Sequence, residues 1–222
     1  MKRFSILFVF LVGAILTFAQ VNTILMFEQF SVATIKFKNK SLTKVLANYD
    51  MGQQRMLYKQ NDVVMELVGT AAVDTVCFGP RKFIPYGDSF LEIVNLKDGT
   101  VYINWHQKSV NIGSKGAFGA VTQGTVKPLY IFDLGLNSPE MYTSYNKQNV
   151  NNTDVYKQKN DNEYMLRLDD KFVKFRNVKQ LCKLFPDKAS LINKFVKQHK
   201  IEFKYVEDVL MLMNYCMSVG SH

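Results

Sequence analysis

Between Ser31 and Leu134, turn signals recur at intervals too short for helices. Asn39-Lys40-Ser41, Asn61-Asp62, Gly79-Pro80 and Lys97-Asp98-Gly99 separate short apolar runs such as "SVATIKFK", "MLYKQ", "VDTVCFG" and "SFLEIVNL". Several runs alternate apolar and polar residues, the period of a strand with one buried face. Asp98-Gly99 between "SFLEIVNL" and "TVYINWHQ" is the clearest hairpin signal, because Asp-Gly favours tight antiparallel turns. Strands this close, with no helical stretch between them, predict an antiparallel sheet that curls into a roll, sandwich or small barrel.

The rest of the chain divides around that body. Lys2 and Arg3 precede an apolar run from Phe4 to Phe18, and Thr17 and Ala19 are small residues placed for cleavage before Gln20. Residues 1–19 therefore read as a secretory signal peptide, an uncleaved anchor being the rival reading. Residues 20–135 form the antiparallel β body. Residues 136–153, "LNSPEMYTSYNKQNVNNT", are polar and without period, a loop or linker. Residues 154–222 read as a short β-meander and a C-terminal helical region. In the meander "NDN" joins "DVYKQK" to "EYMLRL" and "DD" joins "EYMLRL" to "KFVKFR". The fold class is α+β.

Three amphipathic helices follow. Asn177 is placed to cap "VKQLCKLF", and Pro186 ends that helix. Asp187 is placed to cap "KASLINKFVKQHK". On a helical wheel Leu191, Ile192, Phe195, Val196 and His199 share one face, and Lys194, Lys197 and Lys200 sit opposite. "YVEDVLMLMNYCMSV" turns Val209, Leu212, Met213 and Cys216 to one side.

The formal charge is +9, and most of it is local: Lys171–Tyr205 holds nearly all the surplus. A basic patch attracts nucleic acid, anionic lipid or acidic glycan. Export argues against nucleic acid. The patch reads first as the solvated face of docked helices, and otherwise as a peripheral contact with an anionic surface. Cys77, Cys182 and Cys216 are too few for a disulfide scaffold. They read as small apolar side chains, with Cys182–Cys216 the pair placed for one bond.

Motifs for common chemistries are missing. "NIGSKGAFG" (Asn111–Gly119) spaces its glycines G-x-x-G-x-x-G and is not followed by a helix, so it is neither a P-loop nor a dinucleotide fingerprint. It reads as a bend or bulge. There is no G-x-S-x-G, H-x-x-x-H or C-x-x-C, so no cofactor and no metal is implied. His106, on the Tyr102, Asn104, His106, Lys108 face of its strand, is the one general-base candidate, because histidine titrates near neutrality unaided. A Cys77–His106 pair would require neighbouring strands. Tyr130, Tyr142 and Tyr145 are the other candidate binding residues, since tyrosine joins a flat apolar body to a polar tip.

"TVYINWHQKSVNIGSKGAFGAVTQG", "VYKQKNDNEYMLRLDDKFVKFRNVKQLCKLFP" and the "IKFKNK" opening resemble uncharacterised exported proteins of Bacteroidetes-type bacteria. The resemblance implies a secreted or periplasmic protein with a β-rich body and a helical end. It carries no activity and no catalytic residue. The expectation is an exported envelope protein that binds a protein or glycan partner. The alternatives are a hydrolase acting on envelope polymers with His106 as base, and a peripheral membrane-surface protein using its basic helices.

Overall fold

The computed structural model describes residues 23–115, 121–122 and 154–219. Thirteen strands and three helices are present in these residues. The strands are β1 (Ser31–Phe37), β2 (Leu42–Asp50), β3 (Arg55–Gln60), β4 (Val63–Glu66), β5 (Val73–Phe78), β6 (Arg81–Tyr86) and β7 (Ser89–Leu96). There follow β8 (Gly99–Asn104), β9 (Gln107–Lys115), β10 (Val121–Thr122), β11 (Asp154–Asn160), β12 (Glu163–Leu168) and β13 (Lys171–Phe175). The helices are α1 (Val178–Leu184), α2 (Ala189–His199) and α3 (Val206–Ser218).

Ten strands form one antiparallel sheet in the order β13-β12-β8-β7-β6-β5-β1-β2-β3-β4, and β10-β9-β11 form a second. The fold is α+β, and the large sheet does not close into a barrel. It does curl. β2 and β6 lie three places apart, about 14 Å on a flat sheet, yet the rings of Tyr49 and Phe83 are 6.0 Å apart. The Tyr49 hydroxyl also donates to the Phe90 carbonyl of β7 at 3.5 Å. The sheet therefore wraps around a first core that includes Ala33, Ile35, Tyr49, Met56, Val76, Phe83 and Phe90.

Turn chemistry follows the residues in most places. Asn61-Asp62 and Asp169-Asp170 both take positive φ at both positions, as a two-residue hairpin turn requires. The β7–β8 turn differs from expectation. Leu96 pairs with Gly99, so the turn is Lys97-Asp98 and Gly99 opens β8. Gly99 serves packing instead: a Cβ there would sit 2.5 Å from the Met217 sulfur of α3.

A second core lies where the three helices cover β8, β12 and β13. Val101, Ile103, Tyr164, Leu166 and Phe175 from the sheet meet Leu181, Ile192, Val209, Leu212, Met213 and Cys216 from the helices. Burying these apolar stripes is what stabilises helices too short to stand alone. Asn177 caps α1 by accepting from the Gln180 N–H at 2.9 Å. Asp187 does not cap α2: Pro186–Lys188 form a 3-10 turn that leads into the helix, and Lys188 holds the cap position without a side-chain bond. On α2, Ile192 is buried and Leu191 is exposed. All three cysteines are free thiols, so Cys182 and Cys216 contribute to packing and form no bond with each other.

The expected "NDN" hairpin is not formed. β11 pairs with β9 in the small sheet, and β12 pairs with β8 in the large one. Asp161 and Asn162 lie between them, opposite Trp105 and His106. Two antiparallel chains thus run through both sheets and change sheet at the same level. A purely local reading misses this, because the paired residues are 40 or more positions apart in the chain.

Before β1, the chain is strapped to β2 by side chains. Asn48 accepts from the Phe27 N–H at 3.1 Å and donates to the Phe27 carbonyl at 2.8 Å. Asp50 accepts from the N–H groups of Ile24 and Gly52 at 3.1 and 2.9 Å. These bonds place Ile24 and Gly52 beside the point where the strands change sheet.

Candidate functional site

The crossover level carries two polar assemblies, one on each side of the strands. Tyr102, Asn104, His106 and Lys108 lie on one side as alternation requires, and Val101, Ile103 and Trp105 on the other. The backbone is fixed first. The Asp161 N–H donates to the His106 carbonyl at 2.9 Å, the His106 N–H donates to Asn162 Oδ1 at 2.9 Å, and the Gln107 N–H donates to the Met51 carbonyl at 3.0 Å.

On the inner side, Trp105 touches both cores. Its indole N–H donates to Glu92 Oε2 at 2.6 Å. Arg81 grips the same carboxylate through Nε at 2.6 Å and Nη2 at 2.7 Å. The guanidinium also lies 5.2, 5.5 and 5.4 Å from the rings of Phe27, Phe83 and Trp105. Glu92 is buried. Paired with a guanidinium that packs on three rings, and hydrogen-bonded to the indole, it meets the conditions under which a buried charge is tolerated. The sequence held a sign of it: Glu92 shares its strand face with Phe90 and Val94.

The outer side holds His106. Its Nδ1 is 3.1 Å from Asp161 Oδ2, and Lys108 Nζ reaches the same oxygen at 2.5 Å. An ionised carboxylate only accepts, so the proton between the two groups sits on His106 Nδ1, and whenever the ring is neutral Nε2 is its acceptor. Arg176 bridges onward, 3.9 Å from Asp161 and 2.5 Å from Glu163. Glu163 also accepts from Lys174 at 3.3 Å and Asn104 at 3.2 Å, and Gln54 donates to Asn104 at 2.7 Å. The hydrogen bond from Lys108 is the main reason the Asp161 carboxyl lies below its ordinary value; burial opposes it, and Arg176 and His106 add to it. Burial works to raise the Glu163 carboxyl, but hydrogen bonds from Arg176, Asn104 and Lys174 outweigh it and hold the group below the usual glutamate value. Burial pushes the Tyr164 hydroxyl up to about 12, with Asn162 drawing it partly back.

Beside His106 an open groove of ≈ 600 Å³ runs along β9, lined by Ile24, Gly52, Gln53, His106, Gln107, Lys108, Ser109, Val110 and Asn111. The lining offers amides, a hydroxyl, one cation and an imidazole. Asp161 and Glu163, the carboxylates of the His106 assembly, are committed to cations, and Asp50 is committed to the N–H groups of Ile24 and Gly52. At one end Gly113 takes φ 133, where the β9–β11 register shifts between Val155 and Tyr156. This part of the glycine-rich stretch is a bulge, as its spacing predicts.

The other sequence-predicted residues fall elsewhere. Cys77 sits on β5, and β6 and β7 separate that strand from β8, so Cys77 does not neighbour His106. Lys194, Lys197 and Lys200 are exposed on and just after α2. Tyr130, Tyr142 and Tyr145 lie outside the described residues. Asp161, the partner of His106, and Glu163 and Arg176 beyond it escape a sequence reading, because Asp161 and Glu163 look like ordinary turn acids. Among the described residues no group of three His, Cys, Asp or Glu side chains is placed to hold a metal ion. No helix among them is long and apolar enough to cross a membrane. Comparison with family models, with curated proteins and with solved structures finds no match for this chain.

Proposed function

We propose that this chain is an exported cell-envelope protein that acts as a non-enzymatic binding module for a protein or glycan partner, with the groove beside His106 as its contact surface. The observation that carries this reading is the state of the acids around His106. Asp161 and Glu163 are each held by cations and kept ionised. Neither is free to act as a general acid, and the imidazole is held by Asp161 on one side. What the groove presents is amide and hydroxyl groups set among apolar surface that includes Ile24 and Val110, the mixed composition of a binding cleft. The export part of the proposal rests on the N-terminal pattern of Lys2, Arg3 and the apolar run that follows. It rests also on the resemblance to exported proteins of Bacteroidetes-type bacteria.

A photo-reactive residue placed at Gln53 or Ser109 in the full chain, expressed in the native cells, tests it. Cross-linking to one envelope component from these positions, and not from an exposed control such as Leu42, supports the proposal. Equal labelling from both kinds of position refutes it.

One observation favours a second reading, hydrolysis with His106 as base. The Asp161 carboxylate orients the ring and leaves Nε2 as acceptor, the arrangement of a base that takes a proton from a nucleophile or water. His106→Gln separates the two. It keeps a hydrogen-bonding side chain in the groove, so a binding module still captures its partner, and it abolishes a hydrolase. The exposed Lys194, Lys197 and Lys200 keep the peripheral-surface reading as an alternative. Its signature is vesicle binding that collapses as salt rises.

A further inference from the structure

The face of the large sheet turned away from the helices carries a second groove, distinct from the one at His106. Alternation places Thr100 and Tyr102 of β8, Arg167 of β12 and Phe172 of β13 on this face, opposite Val101, Ile103, Tyr164 and Leu166. The groove encloses ≈ 520 Å³ and is lined by Thr100, Tyr102, Arg167, Asp169 and Asp170. That volume falls within the range of small-molecule clefts, about 300–1,000 Å³.

One wall carries the ring of Tyr102. Phe172 meets Tyr102 edge-on with ring centroids 4.9 Å apart, and meets Tyr86 edge-on at 5.5 Å. These contacts fix the ring orientations, and Tyr86 keeps 38% of its surface exposed. The opposite wall is polar. Arg167 Nη2 donates to Asp170 Oδ1 at 2.9 Å across the two-residue turn. The Thr100 hydroxyl donates to Asn95 at 3.2 Å and retains its acceptor lone pairs. The groove thus combines one tyrosine ring with closely spaced acceptors and one forked donor, and most of its surface is polar.

The charge of the lining narrows the ligand. Two carboxylates accompany one guanidinium in the lining, and Asp170 already holds that guanidinium, so phosphate, sulfate and uronic acid groups gain no free cationic partner there. The polar wall would be left desolvated and unpaired under a wholly apolar ligand. A neutral sugar matches both walls. Its C–H face packs on an aromatic ring, and its vicinal hydroxyls donate to carboxylate oxygens and accept from guanidinium. We propose that this groove binds a neutral glycan. The choice of partner class rests on the binding-module reading, but the surface is a separate one.

The test uses the full mature chain against immobilised short oligomers of glucose, mannose, xylose and N-acetylglucosamine, with oligogalacturonate as the anionic control. Calorimetric titration follows for any oligomer retained. Two variants carry the assignment. Asp169→Gly with Asp170→Gly removes both carboxylates at positions whose φ of 46 and 62 suits glycine, so the turn is kept. Tyr102→Leu removes the tyrosine ring while keeping apolar bulk. Binding of a neutral oligomer that weakens about tenfold or more in each variant, and is unchanged in His106→Ala, is the expected result. Retention of no neutral oligomer overturns the proposal, as does binding indifferent to the Asp169→Gly/Asp170→Gly change. Loss of glycan binding in His106→Ala would also overturn it, by placing the ligand in the other groove. Failure of the cross-linking from Gln53 and Ser109 bears on the first groove alone and leaves this result standing.

Discussion

Replacing Glu92 by leucine is the sharpest test of how the two cores are joined. The change leaves the Arg81 guanidinium and the Trp105 indole N–H without their shared acceptor. Removing one partner of a buried ion pair costs about 3–5 kcal/mol, because the other charge is left uncompensated. Arg81 keeps 31% side-chain exposure, so water recovers part of the loss. The unpaired indole donor adds about 1–3 kcal/mol if it finds no water. We expect a net loss of about 3 kcal/mol, a large share of the 5–15 kcal/mol, roughly, that a domain holds in all. At a urea dependence of about 2 kcal/mol per molar, the midpoint falls by about 1.5 M. The chain has one tryptophan, Trp105 itself, so its fluorescence follows the junction while circular dichroism follows the sheet. Adding Arg81→Leu to Glu92→Leu removes the stranded charge, and about half of the loss should return. Glu92→Gln keeps an acceptor for the indole and should cost less than Glu92→Leu. A loss under about 1 kcal/mol for Glu92→Leu, or a double variant no more stable than the single one, would refute the account of a junction held by a compensated charge.

Acid should act through the outer assembly. Asp161 and Glu163 both lie below their ordinary values when folded, so the folded state binds fewer protons than the unfolded one. Their stabilisation is complete above the unfolded carboxylate range, about pH 4, and is lost as pH falls through the lower folded values. Urea midpoints measured from neutral to acid pH should drop less steeply in Asp161→Asn/Glu163→Gln than in the parent chain. Asn177→Ala removes the α1 cap and should cost about 1 kcal/mol in thermal or urea unfolding. Gly99→Val drives a branched side chain against Met217 and should destabilise by about 1–3 kcal/mol, with Met217→Ala restoring part of it. Burial pushes the Cys216 thiol up to about 11 and also raises that of Cys182. A thiol reagent near neutral pH should therefore modify these two slowly in the folded chain and rapidly in urea.

The fold class was legible because turn residues and alternation are local. Asn61-Asp62 and Asp169-Asp170 place their turns where they stand in the sequence. Asn177 likewise marks the start of α1, and Val209, Leu212, Met213 and Cys216 mark the buried side of α3. What could not be read is long-range pairing. "DVYKQK-NDN-EYMLRL" has every local mark of a hairpin, yet its halves belong to different sheets. The decision is made by β8 and β9, which offer both halves a better partner. The same limit hid the site. His106 was recognisable by type, but its partners come from the far side of a crossover. The two-stranded pairing puts Asp161 and Glu163 on its face, and Arg176 arrives from the end of β13.

The paired crossover also bears on how the chain reaches its folded state. Asn104 and Glu163 are 59 residues apart, and the surface that receives the helices exists only once β12 has found β8. Closing so long a stretch costs entropy before any apolar burial repays it, and distant pairings slow folding. The curled sheet of β1 to β7 needs one shorter closure, β1 with β5, and otherwise pairs near neighbours in sequence, so it can collapse first. The helices then wait on a late event, with their apolar stripes exposed meanwhile. Trp105 touches both cores, so its emission becomes native only when that event is complete. Refolding followed at this residue should trail refolding followed by the sheet signal.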